Sequence, residues 1–88
     1  GGTGPAPRDC TPEAVEPLIE KHLDGFGELF RSLSFEEIGP SAAYSRALAG
    51  TVGSRVLFVL PGSPAAVRLA WDRLISPSLG HLVGLLRA

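Results

Sequence analysis

Two short stretches carry residue types suited to chemistry. The first is Gly1-Gly2-Thr3-Gly4, followed by Arg8-Asp9 and then Thr11-Pro12-Glu13. Glycines let a backbone turn tightly and approach an anion closely, and a helix start just beyond adds unpaired N–H groups and the positive end of a dipole. Arg8 can clamp a phosphate, and Asp9 can hold Mg²⁺ or position a proton. The same residues also read as a plain glycine turn with a capping threonine. They are not a P-loop, which needs Gly-Lys-Ser/Thr, nor a dinucleotide fingerprint, which needs a third glycine at a set offset. The second stretch is Pro61-Gly62-Ser63-Pro64, directly after an apolar run. Glycine turn, serine N-cap and proline at the first helical position place it at the carboxyl end of a strand, where ligands bind in open α/β sheets. Ordinary turn chemistry accounts for it equally well. Between them, Ser45-Arg46 offers a guanidinium that either reaches a phosphate or faces solvent.

Other reactive groups are isolated. His22 and His81 have no second ligand at helical spacing, which argues against zinc. Cys10 beside Asp9 has no histidine partner nearby and is a poor candidate nucleophile. Being the only cysteine of 88 residues, it forms no internal disulfide, which fits a reducing, cytoplasmic setting. Charge excludes further classes. The net charge is −1 and the eight basic residues are interleaved with acids, so no cationic stripe serves nucleic acid. Membranes are disfavoured too, since the longest uninterrupted apolar run, Val56–Leu60, is far too short to span a bilayer and no leader-like start is present.

The elements that must position these stretches are read from periodicity. Thr11 as N-cap and Pro12 at the first position predict a helix with Val15, Leu18, Ile19 and Leu23 on one face, bent at Pro17 and ended by Asp24-Gly25. Phe26, Leu29, Phe30 and Leu33 predict a second helix. Gly39-Pro40 breaks the chain, and Ser41 is expected to cap a helix running to about Ala49 and stopped by Gly50. Val56–Leu60 shows no alternation, the pattern of a strand buried on both faces in a parallel sheet. A helix with Val67, Ala70, Trp71 and Leu74 inward follows. Ser76-Pro77 interrupts it, and Leu79, Leu82, Val83 and Leu86 form a last helix. Only Thr51-Val52 suggests a second strand. A lone strand cannot satisfy its own backbone, so the expectation is that residues 1–88 are the C-terminal half of a single α/β domain.

Taken together, the motifs resemble those of the molybdopterin-binding MoaB/MogA family, which includes the G domain of gephyrin. GGTGPAPRDCTPEA is similar to that family's GGTG-x-x-x-RD-x-TPEA signature. DGFGELFR, EEIGPSAAYSRALAG, LPGSPAAV and SLGHLVGLLRA follow in the family's order across essentially the whole chain, and several are more MoaB-like than MogA-like. The resemblance implies a three-layer α/β/α fold with a mostly parallel sheet, and a cytoplasmic role in molybdenum cofactor biosynthesis. It implies molybdopterin and ATP as ligands, with Mg²⁺, and adenylylation of the terminal phosphate of molybdopterin. Non-catalytic binding of molybdopterin or a precursor is the alternative, and a piece serving only oligomer contacts is a third. Asp9 would be the functional aspartate and the tentative Mg²⁺ ligand. Gly1, Gly2, Thr3, Gly4, Arg8, Thr11, Pro12, Glu13, Ser45, Arg46, Pro61, Gly62, Ser63 and Pro64 would line or close the substrate pocket. A second functional aspartate belongs to the other half of the domain. That half, a trimer or dimer of trimers, and other cofactor-biosynthesis proteins are the partners it implies.

Overall fold

The computed structural model describes residues 1–88. Helix α1 spans Thr11–Val15, and a 3₁₀ turn Glu16–Leu18 leads to strand β1, Lys21–His22. The single long first helix expected is therefore not formed. Pro17 lacks the N–H that would continue the α-helical ladder, so the turn tightens and Ile19 becomes extended. Thr11 is the first helical residue and does not cap with its side chain. Cys10 holds the N-cap position.

Helix α2 spans Asp24–Ile38, so Asp24-Gly25 opens a helix instead of closing one. Asp24 sits in the first turn, facing the positive end of the dipole. Its buried positions, Gly27, Phe30 and Ser34, recur at helical spacing on the side that meets strand β2, Leu48–Val52. Gly27 packs closely against Ala47, the residue that leads into β2. A Cβ there would stand 2.8 Å from the carbonyl oxygen of Ala47, so any larger residue would push helix and strand apart.

The helix expected over residues 41–49 is replaced by a 3₁₀ segment, Gly39–Tyr44, and then β2. Small residues at 42, 47 and 49 suit either structure, and tertiary pairing decides: β2 is the central strand, flanked by β1 and by β3, Arg55–Val59. Gly53 (φ +59°) allows the two-residue turn of the β2–β3 hairpin. The α/β class holds, yet all pairings within the chain are antiparallel, in the order β1-β2-β3. The Val56–Leu60 run is a strand as read. Only its Val59 is buried, because β3 has a single neighbour among these residues.

Helix α3, Pro64–Ala70, passes through a π-helical stretch, Trp71–Ile75, into α4, Ser76–Leu86. The break expected at Ser76-Pro77 is thus absorbed by a widened turn. Pro77 lacks the N–H that would continue the ladder, and the wider turn relieves its ring. The Ser78 hydroxyl donates to the Leu74 carbonyl at 2.6 Å. The widened turn also resets the inward face. Leu69, Ala70 and Ile75 join Phe30 and Ala47 in the core, while Val67 and Trp71, expected inside, are exposed.

Candidate functional site

The glycine loop at residues 1–10 is held by side chains far away in sequence. Gly2, at φ +74°, turns the chain so that its carbonyl accepts from Thr11 N–H at 3.2 Å. The next turn closes on itself. Asp9 N–H donates to the Ala6 carbonyl at 2.9 Å, and Ala6 N–H donates to Asp9 Oδ2 at 3.0 Å. Asp9 is thereby aimed and keeps its other oxygen available. Gly4 is the space for that carboxylate, since a Cβ on it would lie 2.7 Å from Asp9 Oδ2.

Arg46 fastens the loop. Its backbone N–H donates to the Thr3 carbonyl at 2.8 Å and its Nε to the Gly4 carbonyl at 2.9 Å. Nη2 donates to the Asp9 carbonyl at 2.8 Å, and Nη1 pairs with the Glu13 carboxylate. The hydrogen bond from Arg46 holds the Glu13 carboxyl below its ordinary range, and the same bond raises the guanidinium of Arg46. A second arginine, unremarked in the sequence, supports this one. Arg31 Nη1 donates to the carbonyls of Ser45 and Ala47 at 3.2 and 2.9 Å, fixing the segment from which Arg46 projects.

The other loop needs no distant support. Ser63 is the N-cap of α3, its hydroxyl accepting from Ala66 N–H at 3.1 Å, with Pro64 at the first position. Gly1 nitrogen donates to the Leu60 carbonyl at 3.1 Å, and Gly1 Cα approaches Gly62 so closely that a Cβ on Gly62 would meet it at 3.2 Å. The two loops are therefore neighbours at the end of β3.

Between them lies a cavity of about 500 Å³. Of the residues expected to form a site, Gly2, Thr3, Gly4 and Asp9 line it from one loop, and Pro61, Gly62 and Ser63 from the other, with Ser45 between. Gly1, Arg8, Thr11, Pro12, Glu13, Arg46 and Pro64 stand off its wall. Arg46 positions the loop, all its guanidinium nitrogens being engaged, while Arg8 is exposed and unpaired. Sequence reasoning missed one wall: Phe30, Ser34, Glu37 and Ile38 from α2, and Ser41 and Tyr44 just after it. Spacings of three and four residues put the α2 members on one face, a pattern legible as a polar interruption in an otherwise apolar stripe. No Lys or Arg lines the cavity, and its charges are the carboxylates of Asp9 and Glu37. No three His, Cys, Asp or Glu side chains gather to cage a metal. Asp9 alone suits Mg²⁺, which commonly takes one or two carboxylates together with substrate phosphates and water.

Two loops around one cavity at a strand's end, one rich in glycine and carrying a positioned carboxylate, define a small-ligand-binding α/β domain. Residues 1–81 match the family model described as a probable molybdopterin binding domain, and the chain belongs to that family. It is 57% identical over 84 residues to molybdenum cofactor biosynthesis protein B of Staphylococcus carnosus, covering 94% of this chain and 49% of that protein. The same-named protein of Bacillus cereus is 57% identical over 83 residues, covering 93% and 49%. Among solved structures, a molybdenum cofactor biosynthesis protein B superposes with a TM-score of 0.95 at 55% identity, over 99% of this chain and 55% of that one. The tungsten cofactor synthesizing protein MoaB of Pyrococcus furiosus superposes at 0.87 with 39% identity, over 100% and 56%. The chain spans about half the length of the relatives it matches. No helix is long and apolar enough to cross a membrane.

Proposed function

We propose that the intact protein carrying this chain acts in molybdenum cofactor biosynthesis in the cytoplasm by binding molybdopterin and adenylylating it with ATP. The observation that carries this reading is the meeting of the glycine loop and the Pro61–Ser63 loop around one cavity with Asp9 in its wall. A phosphate oxygen of molybdopterin attacks the α-phosphorus of ATP, the bond to the β-phosphate bridge breaks, and pyrophosphate leaves with the electron pair. Such a step needs positioning and charge neutralisation more than a protein nucleophile. Asp9, together with the phosphates, would hold Mg²⁺, and the ion would supply the neutralisation that this cationless cavity wall does not. The glycine-loop amides would lie beside the phosphates, and Ala6 N–H already orients Asp9 for its role.

The remaining half of the domain is the partner this reading requires, with a trimer as the further assembly. Large apolar side chains left exposed here, among them Leu29, Trp71 and Leu85, support additional packing partners.

The test is pyrophosphate release by the intact protein given molybdopterin, ATP and Mg²⁺. Asp9→Asn is expected to lower turnover by about a hundredfold or more while molybdopterin still binds. Binding without pyrophosphate in the unmodified protein would leave the non-catalytic binding role standing in place of the enzymatic one.

A further inference from the structure

Arg31 lies on α2, outside the cavity wall, and forms no ion pair. Its guanidinium rests against Gly27. A Cβ there would stand 2.7 Å from Nη2, so the glycine leaves the space that the group fills. From that space Nη1 donates to two carbonyls at once, those of Ser45 and Ala47. A charged donor bonds a carbonyl more strongly than a neutral one, and no acid within ion-pair distance competes for this one.

The segment it grips has two edges. Ser45 is extended, and in extended backbone alternate carbonyls share one edge while the N–H between them points to the other. Arg31 holds the carbonyl edge at Ser45 and Ala47. On the opposite edge Arg46 N–H donates to the Thr3 carbonyl at 2.8 Å. The Arg46 side chain then reaches the carbonyls of Gly4 and Asp9. Residues 45–47 are thus a short bar clamped by α2 along one edge and carrying the glycine loop on the other.

We infer that Arg31 is a positioning residue for the reaction, setting the aim of Asp9 through Arg46. It also places Ser45, which lines the cavity, by holding that residue's carbonyl. The catalytic part of this rests on the adenylylation proposed above; the hold on the loop does not. Chemistry that works by positioning is sensitive to displacements of about 1 Å made far from the reacting atoms. Two consequences separate this role from ordinary support of the fold. The arginines act in series, so removing Arg31 once Arg46 is gone costs nothing more. They also differ in their tolerance of lysine. Both bonds of Arg31 come from a single nitrogen, which an ammonium with several N–H donors reproduces, whereas Arg46 uses Nε, Nη1 and Nη2 together.

The experiment uses the intact protein and its Arg31→Met, Arg31→Lys, Arg46→Ala and combined Arg31→Met/Arg46→Ala variants. Amide exchange is measured without ligand, then kcat and KM for pyrophosphate release from molybdopterin and Mg-ATP. Leu33→Ala, which loosens the core packing of the same helix, controls for lost stability. Arg31→Met should speed exchange across residues 3–9 and lower kcat, each about tenfold, with KM kept within about twofold. Arg31→Lys should recover most of both losses. The combined variant should match Arg46→Ala in kcat. Leu33→Ala should unfold at lower denaturant yet keep the exchange of residues 3–9 and the kcat of the unmodified protein. Should Arg31→Met not fold, Arg31→Gln, with a neutral donor of shorter reach, replaces it under the same criteria. Unchanged exchange over residues 3–9 on losing Arg31, no recovery with lysine, losses that multiply in the combined variant, or the same losses in Leu33→Ala each overturn the role of Arg31. If the unmodified protein releases no pyrophosphate, the enzymatic reading falls and the exchange pattern alone upholds or overturns the hold of Arg31 on the loop.

Discussion

The two loops that face each other across the cavity are built in opposite ways. The Pro61–Ser63 loop closes locally: Ser63 caps its own helix three residues on, and Pro64 occupies the position where its missing N–H costs nothing. The glycine loop depends on Arg46, which reaches back 42 residues to Gly4 and 37 to Asp9. One loop is a piece of secondary-structure chemistry, and the other is a product of tertiary contact. A functional loop of the second kind is vulnerable at residues that never touch the ligand. Arg31 shows this at one further remove, holding the carbonyls on either side of Arg46.

The contrast breaks most sharply at Arg46. Arg46→Ala should disorder residues 3–9 without any ligand present, read as faster amide exchange across that stretch, and should reduce turnover by about a hundredfold or more. Arg46→Lys should not restore it, because a single ammonium cannot replace a fork of donors aimed at three acceptors. An unchanged exchange pattern with lost binding would instead make Arg46 a direct phosphate ligand.

Ser63→Ala sharpens the comparison from the other side. It should cost about 1 kcal/mol in denaturant-measured stability, the usual value of a lost N-cap, and leave exchange in the glycine loop unaffected. A wider loss would mean that the second loop is less self-contained than its hydrogen bonds indicate.

The smallest expected effect is a pH dependence. Glu13 titrates below its ordinary value because Arg46 donates to it, so the folded state favours its charged form. Its contribution is therefore present above that ordinary value, near 4.5, and is lost as pH falls through the lowered one. Glu13 is solvent-exposed, and the effect should be small and weaken with added salt. In Glu13→Gln this part of the acid-limb slope should vanish; a slope identical to that of the unmodified protein would assign it to other carboxylates.

Much of the site was readable because its chemistry is local. Glycines before an Arg-Asp pair, and a glycine turn with a serine cap after an apolar strand, state their turns in a handful of residues. The order of the motifs carried the family. Ser34, Glu37 and Tyr44 escaped, since only the fold brings them to the cavity beside loops remote from them in sequence. Arg46 was noticed for its charge, and its work on three acceptors is invisible without the fold.

The elements divide along the same line. The β3 strand, the α2 helix and the start of α3 are properties of local pattern, because burial periodicity and capping reside in neighbouring residues. The second half of the expected first helix, and the whole of that expected over 41–49, went the other way. Pro17 stopped α1 early, and residues 48–52 became a central strand once β1 and β3 offered hydrogen bonds on both sides. Small residues such as Ala47, Ala49 and Gly50 have too little side chain to insist on a helix. The sequence alone thus determined which residues turn, cap and alternate, and through them the family. Tertiary structure alone decided which small-residue segment became a strand, which arginine holds the glycine loop and which helix face closes the cavity, since each of these depends on partners remote along the chain.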